Sequence, residues 1–329
     1  MLVIELRTRP LRATHADAGC LVQRESDMAT LASALSYGFN VMIVGERGSG
    51  KSTLVNLLAA RLEEESSQVA QVSGGRFDTA AGALWGIARK LAADQSNAAE
   101  SADLVPRDGA DELEGAYRAL ADAAGALPDR VVIIVDGLAP ALVHEIFGRL
   151  RDEIWALQLQ WVLTGNIEDK AILLAPPADA FFEQVLTLAP LSGPEVGQLL
   201  ALRDPDGELD TDVRTLISER SAGNPGRALV LARQALVSAD PVSEINRGSV
   251  IDQIEQELGE PAARLADDLA RNGPSGPSDA QLLRRIGWSR PRAYQVFQAL
   301  QQAGFAEVSS ERSGRAGRPV HTYRLKGLA

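Results

Sequence analysis

The 329 residues are 45% hydrophobic and 23% charged, the balance of a globular protein with enough apolar material for two or three domains. A formal net charge of −11 argues against indiscriminate nucleic-acid binding, and the single cysteine, Cys20, expected as a small buried hydrophobe, excludes an internal disulfide or a cysteine-cluster metal centre. His15, His144 and His321 are scattered, no apolar run approaches bilayer length, and Arg7, Arg9 and Arg12 follow rather than precede the run Leu2 to Leu6; neither a histidine metal site, a membrane span nor a signal peptide is expected, and the cytoplasm is the expected compartment.

Met28, Leu31, Ala34 and Leu35 recur at helical spacing, which predicts a helix over Asp27 to Tyr37 leading into an apolar strand, Val41 to Val44. Directly after that strand stands Gly45-Glu46-Arg47-Gly48-Ser49-Gly50-Lys51-Ser52, and a segment of helical period, Thr53 to Arg61, follows it. This is the pattern G-x-x-x-x-G-K-[ST] in the strand-to-helix setting it needs, a phosphate-binding loop. The glycines open backbone angles closed to other residues and let the main chain approach a ligand. Lys51 is expected at the β- and γ-phosphates and Ser52 on the Mg²⁺ that accompanies ATP or ADP, with Glu46, Arg47, Ser49 and Thr53 in the same cradle.

Val69 to Val72 reads as the second strand and Thr79 to Leu91 as a helix, followed by a polar stretch, Ala92 to Gly109, with the profile of a mobile surface loop. Val131 to Val135 is an unbroken apolar run ending in Asp136, the way a strand buried on both faces carries an acid to its C-terminal edge; Asp136 is the second candidate for the metal. Trp161 to Thr164 then delivers Asn166 to the same edge, and Val185 to Leu188 makes a fifth strand. Five strands with long crossovers predict a doubly wound parallel α/β domain over residues 1–189.

From Pro190 the chain reads as three short helices, a lid over residues 190–240, with Arg227 in the first turn of the last. Residues 241–329 begin with a polar linker from Ser238 and two helices, Val250 to Leu258 and Ala262 to Ala270. Ser278 is expected to cap a helix over Asp279 to Ile286 and Ser289 another through Gln302, at helix-turn-helix spacing. Phe305 to Val308 and Val320 to Leu325 pair around a loop holding Arg312, Arg315 and Arg318, completing a winged helix. From Gln281 onward there are nine Lys or Arg against two acids, +7 on a protein whose remainder is −18. A region built to meet a polyanion fits that split: Arg290, Arg292, Tyr294 and Gln295 of the second helix would lie in the major groove of double-stranded DNA and the three loop arginines on phosphate or minor groove. Protein contact through the same module is the alternative.

In this order the motifs resemble AAA+ ATPases of the origin-recognition and initiator clade, with ATPase core, helical lid and C-terminal winged helix. Leu21-Val22-Gln23-Arg24-Glu25 is similar to the motif that leads into their domain beside the adenine, residues 45–52 to Walker A and 131–136 to Walker B. The resemblance implies that Asn166 is sensor 1, that Arg227 is sensor 2 reaching the γ-phosphate, and that Arg24 lies at the nucleotide. Two departures stand out. Gly137 occupies the place where brisk hydrolysers of the family carry Glu, and between Asn166 and Val185 the only cation is Lys170, where many members place an arginine finger. Both imply slow turnover or a site that chiefly holds nucleotide.

Three readings remain open at this point: an ATP-controlled DNA-binding switch that recruits or regulates partner proteins and self-associates with nucleotide; a signalling ATPase of the related STAND type, its winged helix a latch or protein-interaction module; and a small-molecule kinase, which leaves the lid and basic tail without a role.

Overall fold

The computed structural model describes residues 6, 8–12, 17, 22, 24–65, 67–94, 112–127, 131–204, 206–311 and 320–326. Most of the run Leu2 to Leu6, His15, Cys20, Leu21, Gln23, the greater part of the expected loop after Ala92, and Arg312, Arg315 and Arg318 lie outside the described residues. The chain divides into two compact units, one made of Arg7–Arg203 with Asn224–Gly226, the other of Met1–Leu6, Asp204–Gly223 and Arg227–Ala329.

In the first unit α1 (Glu25–Ser36) leads into β1 (Val41–Gly45), and α2 (Lys51–Glu64) follows the glycine turn. Next come β2 (Gln68–Ser73), α3 (Ala80–Asp94), α4 (Glu112–Gly125), β3 (Val131–Asp136), α5 (Pro140–His144), α6 (Arg151–Ala156), β4 (Gln160–Asn166), α7 (Lys170–Leu173), β5 (Gln184–Thr187) and α8 (Gly193–Arg203). The described strands form one parallel sheet in the order β2-β3-β4-β1-β5, so β4 lies between the strand that ends at the glycine loop and the strand that ends in Asp136.

Strand side chains alternate between faces, and here both faces are covered. Met42, Val44, Ile133, Val135, Trp161 and Leu163 pack with α3 and α4, whereas Val41, Ile43, Val132, Ile134 and Val162 meet α1 and α2. That double burial is why the strands read as unbroken apolar runs. Phe147 packs edge-to-face on Trp161 and tilted against Phe181 and Phe182, at centroid distances of 5.1, 4.8 and 5.6 Å, each pair adding about 0.5–1.5 kcal/mol beyond its buried area. Buried Asn40 ties the start of β1 to its neighbour, its side-chain oxygen accepting from Trp161 N–H at 3.0 Å. Helix α4 has no counterpart among the expected elements. Its inner face is Ala116, Ala119 and Leu120, three positions at helical spacing that follow directly on a polar stretch.

The second unit holds α9 (Thr211–Arg220), most of α10 (Pro225–Leu236), α11 (Pro241–Leu258), α12 (Glu260–Asn272), α13 (Ala280–Ile286), α14 (Arg290–Gln302) and the antiparallel pair β6 (Ala306–Glu311) and β7 (Val320–Leu325). Leu265, Leu269, Leu282, Ile286, Phe297, Leu300 and Tyr323 form its C-terminal core, with the Phe297 and Tyr323 rings 4.6 Å apart. Two expectations need correction. The polar linker after Ser238 is largely helix, because Asp240 accepts from Ser243 N–H at 3.2 Å and Pro241 suits the first turn. The cap of α13 is Asp279 rather than Ser278: its carboxylate accepts from Gln281 N–H at 2.8 Å and Leu282 N–H at 3.4 Å, and Ser275 Oγ donates to it at 2.7 Å. Ser289 does stand at the start of α14 but makes no side-chain cap bond.

Candidate functional site

Parallel strands deliver their C-terminal ends to one edge, and the register fixes which residues meet there. Gly45 is level with Asn166, Asp136 with Thr164 on one side and Ser73 on the other. The glycine loop, a polar amide and a carboxylate thus follow one another along the edge.

Within the loop, Gly48 and Gly50 take left-handed backbone angles, φ 84° and 97°, that a side chain would strain. Gly50 caps α2 without a side chain, and a Cβ built there would meet nothing within 4 Å, so the turn presents the helix N-terminus through open space. This is the geometry that receives a phosphate. Lys51 Nζ donates to the carbonyls of Gly45 at 2.7 Å and Glu46 at 2.9 Å and stands 3.5 Å from Asn166 Oδ1. Burial pushes this ammonium below its usual value, while the charges of Asp136, Glu168 and Glu46 oppose the shift. Ser49 Oγ is buried without a partner among the described residues.

Asp136 is held from one side. Thr164 Oγ1 donates to Asp136 Oδ1 at 2.5 Å and accepts from Gly137 N–H at 2.9 Å, so one buried hydroxyl sets both the carboxylate and the turn after it. Asp136 and Ser52 line a common cleft of about 1090 Å³. Among the described residues no three His, Cys, Asp or Glu side chains gather to hold a metal. One hydroxyl and one carboxylate on a shared cleft nevertheless fit Mg²⁺, which keeps several waters and takes other oxygens from nucleotide phosphates.

Two braces on the loop were not anticipated. Asn224 Nδ2 donates to Arg47 O at 2.9 Å and Glu46 Oε2 at 3.2 Å, and Gly226 N–H donates to Gly48 O at 3.0 Å. The segment Asn224-Pro225-Gly226 reads in sequence as a break between helices; the contact spans 177 residues and leaves no local trace. The other brace is Arg24, whose guanidinium donates to Ser49 O at 3.2 Å, Ala189 O at 2.9 Å and Asp27 Oδ2 at 3.2 Å. It is tied to the loop main chain. Thr53 Oγ1 accepts from Leu11 N–H at 3.2 Å, and Lys170 Nζ donates to Thr187 Oγ1 at 3.2 Å.

Arg227 lies in the first turn of α10 and pairs with Asp252 of α11 at 3.4 Å; burial raises the Asp252 carboxyl above its usual range while Arg227 opposes that rise. On α14, Ala293, Phe297 and Leu300 face the core and Arg290, Arg292, Tyr294 and Gln295 are exposed. The Arg292 guanidinium lies 5.2 Å from the Trp288 ring centroid, and Gln298 Nε2 donates to Tyr294 Oη at 2.9 Å. Arg285, counted within the basic tail, is bound by both oxygens of Asp268 at 2.7 and 2.8 Å.

Residues 21–165 match the family model described as AAA ATPase domain. No curated protein matches the sequence. Among solved structures the chain is similar to Cdc6p of Pyrobaculum aerophilum, at 14% identity and TM-score 0.54 over 95% of this chain and 94% of that one. It is similar to a Walker-type ATPase of Pyrococcus abyssi, at 16% identity and TM-score 0.53 over 98% and 97%. The ORC1 protein of Aeropyrum pernix, solved in complex with DNA, gives 18% identity and TM-score 0.50 over 96% and 92%. At such identities the likeness is one of fold. Among the described residues no helix is long and apolar enough to cross a membrane.

Proposed function

With residues 21–165 an AAA ATPase domain in a P-loop AAA+ fold, we propose that the chain is an ATP-controlled switch that binds double-stranded DNA and acts in the cytoplasm on partner proteins. The observation that carries this reading is the sheet edge, where the open turn at Gly50, Lys51, Asn166 and Asp136 stand in fixed register. Lys51 would hold the β- and γ-phosphates, with loop amides from Gly45 to Thr53 around them. Ser52 would bind Mg²⁺ directly and Asp136 through water; bound Mg²⁺ neutralises phosphate charge. Asn166 would orient the γ-phosphate and its water. Arg227 is assigned the γ-phosphate contact of sensor 2, and Arg24 acts by bracing the loop.

Hydrolysis of ATP to ADP and phosphate needs an oriented water, and Gly137 supplies no carboxylate to orient it. The site therefore holds nucleotide far longer than it turns it over. The two nucleotide states differ in DNA affinity or in partner recruitment, and self-association follows the bound nucleotide. Helices α12 to α14 with the β6-β7 pair have the element order of a winged helix, and the exposed face of α14 is its major-groove surface, with Arg312, Arg315 and Arg318 on phosphate. Fluorescence anisotropy with duplex DNA at low salt tests this reading: affinity should change between Mg·ATP and Mg·ADP, and no duplex affinity with Mg·ATP would end it.

A second reading, a STAND-like latch with protein output, is favoured by one observation: Arg285 is bound by Asp268 and Arg292 lies over Trp288, so part of the tail's charge is engaged within its own module. Size exclusion with ADP and with an ATP analogue separates the two, since nucleotide-driven assembly without DNA affinity supports the latch.

A further inference from the structure

The cleft shared by Ser52 and Asp136 has a third wall, a strap formed by residues 8–12 and 17. Leu11 is buried and bonded on both sides: its N–H donates to Thr53 Oγ1 at 3.2 Å, and its carbonyl accepts from Asn56 Nδ2 at 2.7 Å. Asn56 Oδ1 accepts in turn from Gln71 Nε2 of β2 at 2.7 Å. The strap is thereby fastened to the helix that begins at Lys51. Its second anchor is Asp17, 4% exposed, whose two oxygens are gripped by Arg9 at 2.9 and 2.7 Å while Arg12 N–H donates to the same carboxylate at 2.8 Å. The hydrogen bonds from Arg9, with the Arg12 N–H and nearby positive charge, hold this carboxyl down at about 2 in spite of its burial.

These bonds divide the labour between the two strap arginines. Arg9 is committed to Asp17, whereas Arg12 uses only its backbone there; it is exposed and lines the same cleft as Ser52 and Asp136. A guanidinium presents planar, permanently charged donors that match phosphate oxygens.

We infer that Arg12 reads the γ-phosphate from within the same chain, telling a nucleoside triphosphate from a diphosphate. The inference rests on the nucleotide reading of the loop and extends it to a segment outside residues 21–165. A diphosphate lacks the group that Arg12 holds. The strap therefore reports which nucleotide is bound, and through Leu11 it reports to α2.

The test uses the full chain with Mg²⁺, titrating a fluorescent non-hydrolysable ATP analogue and fluorescent ADP against the parent, Arg12→Ala, Arg12→Lys and Lys51→Ala. Arg12→Ala should weaken the triphosphate about tenfold and leave ADP within about twofold, with Arg12→Lys between parent and Arg12→Ala. Bound ADP also certifies folding; should Arg12→Ala fail to fold, Arg12→Gln carries the same measurement. An unchanged ratio, or equal weakening of both nucleotides, overturns the role of Arg12. Loss of both nucleotides in Lys51→Ala beside an unchanged ratio in Arg12→Ala leaves the loop reading standing and removes the strap alone. Tight binding of both by Lys51→Ala would remove the loop reading, and the strap with it.

Discussion

The sheet edge at Gly45 and the exposed face of α14, the two surfaces to which function is proposed, are specified in opposite ways. At the edge each side chain has a place fixed by strand register: Asn166 is level with Gly45, Thr164 with Asp136, and the Thr164 hydroxyl bonds the acid and the turn behind it. On the C-terminal unit the sequence offers a total of charges, and the structure subtracts from it. Arg285 is held by Asp268, and Lys326 lies 3.5 Å from Glu307. A reaction centre depends on where a few atoms sit, whereas a polyanion surface depends on which charges are left unmatched. The first is specified by spacing along strands and the second by pairing across elements.

That contrast can be broken at either end. The largest effect is expected at the edge, where Lys51→Ala removes the ammonium proposed for the β- and γ-phosphates and should weaken ATP retention about a hundredfold or more in equilibrium dialysis; parent-like retention would show that the edge is not the nucleotide site. Gly226→Ala comes next. A Cβ there would lie 2.9 Å from Gly48 Cα and 3.2 Å from its carbonyl oxygen, backbone that cannot step aside cheaply. A cost of about 1–3 kcal/mol is expected, read as a lower Tm together with weaker nucleotide binding; an unchanged Tm would mean the clasp is loose.

On the surface side, replacing Arg312, Arg315 and Arg318 together should weaken duplex binding alike across sequences and flatten the slope of log affinity against log salt by about 3. A parent-like slope would remove the loop arginines from the phosphate contact. The smallest effect sharpens the comparison most. Arg285→Ala together with Asp268→Ala, though it removes an arginine from the basic tail, should alter DNA affinity by less than about twofold because the pair carries no net charge. A tenfold loss would restore simple charge counting.

How much could be read from sequence follows the same division. β3 runs from Val131 to Asp136 as expected, and the loop, Lys51 and Asn166 come to one edge, because strands buried on both faces leave unbroken apolar runs that end where the sheet ends. Helix α4 went unread although Ala116, Ala119 and Leu120 recur at helical spacing, because it follows directly on a polar, loop-like stretch. The clasp at Asn224 and Gly226 and the strap at Leu11 escaped for another reason: each joins residues far apart in the chain through two or three hydrogen bonds, which carry no periodicity. Thr164 lies inside a run that sequence could place in a strand, but its hydroxyl gains a meaning only when β4 is known to lie beside β3.

Gly137 has φ +78°, and a Cβ there would meet nothing within 4 Å, so room is not what keeps the position bare. The backbone is. A left-handed angle costs any side chain about 1–2 kcal/mol, and the adjoining main chain cannot easily relax, since a Cβ on Gly74 would already lie 2.5 Å from Leu138 N and 2.9 Å from the Gly137 carbonyl carbon. Placing a glutamate after Asp136 would therefore strain the turn it enters. On the slow-turnover reading proposed above, the tempo of the site is set by the path of the polypeptide as well as by the carboxylate it lacks.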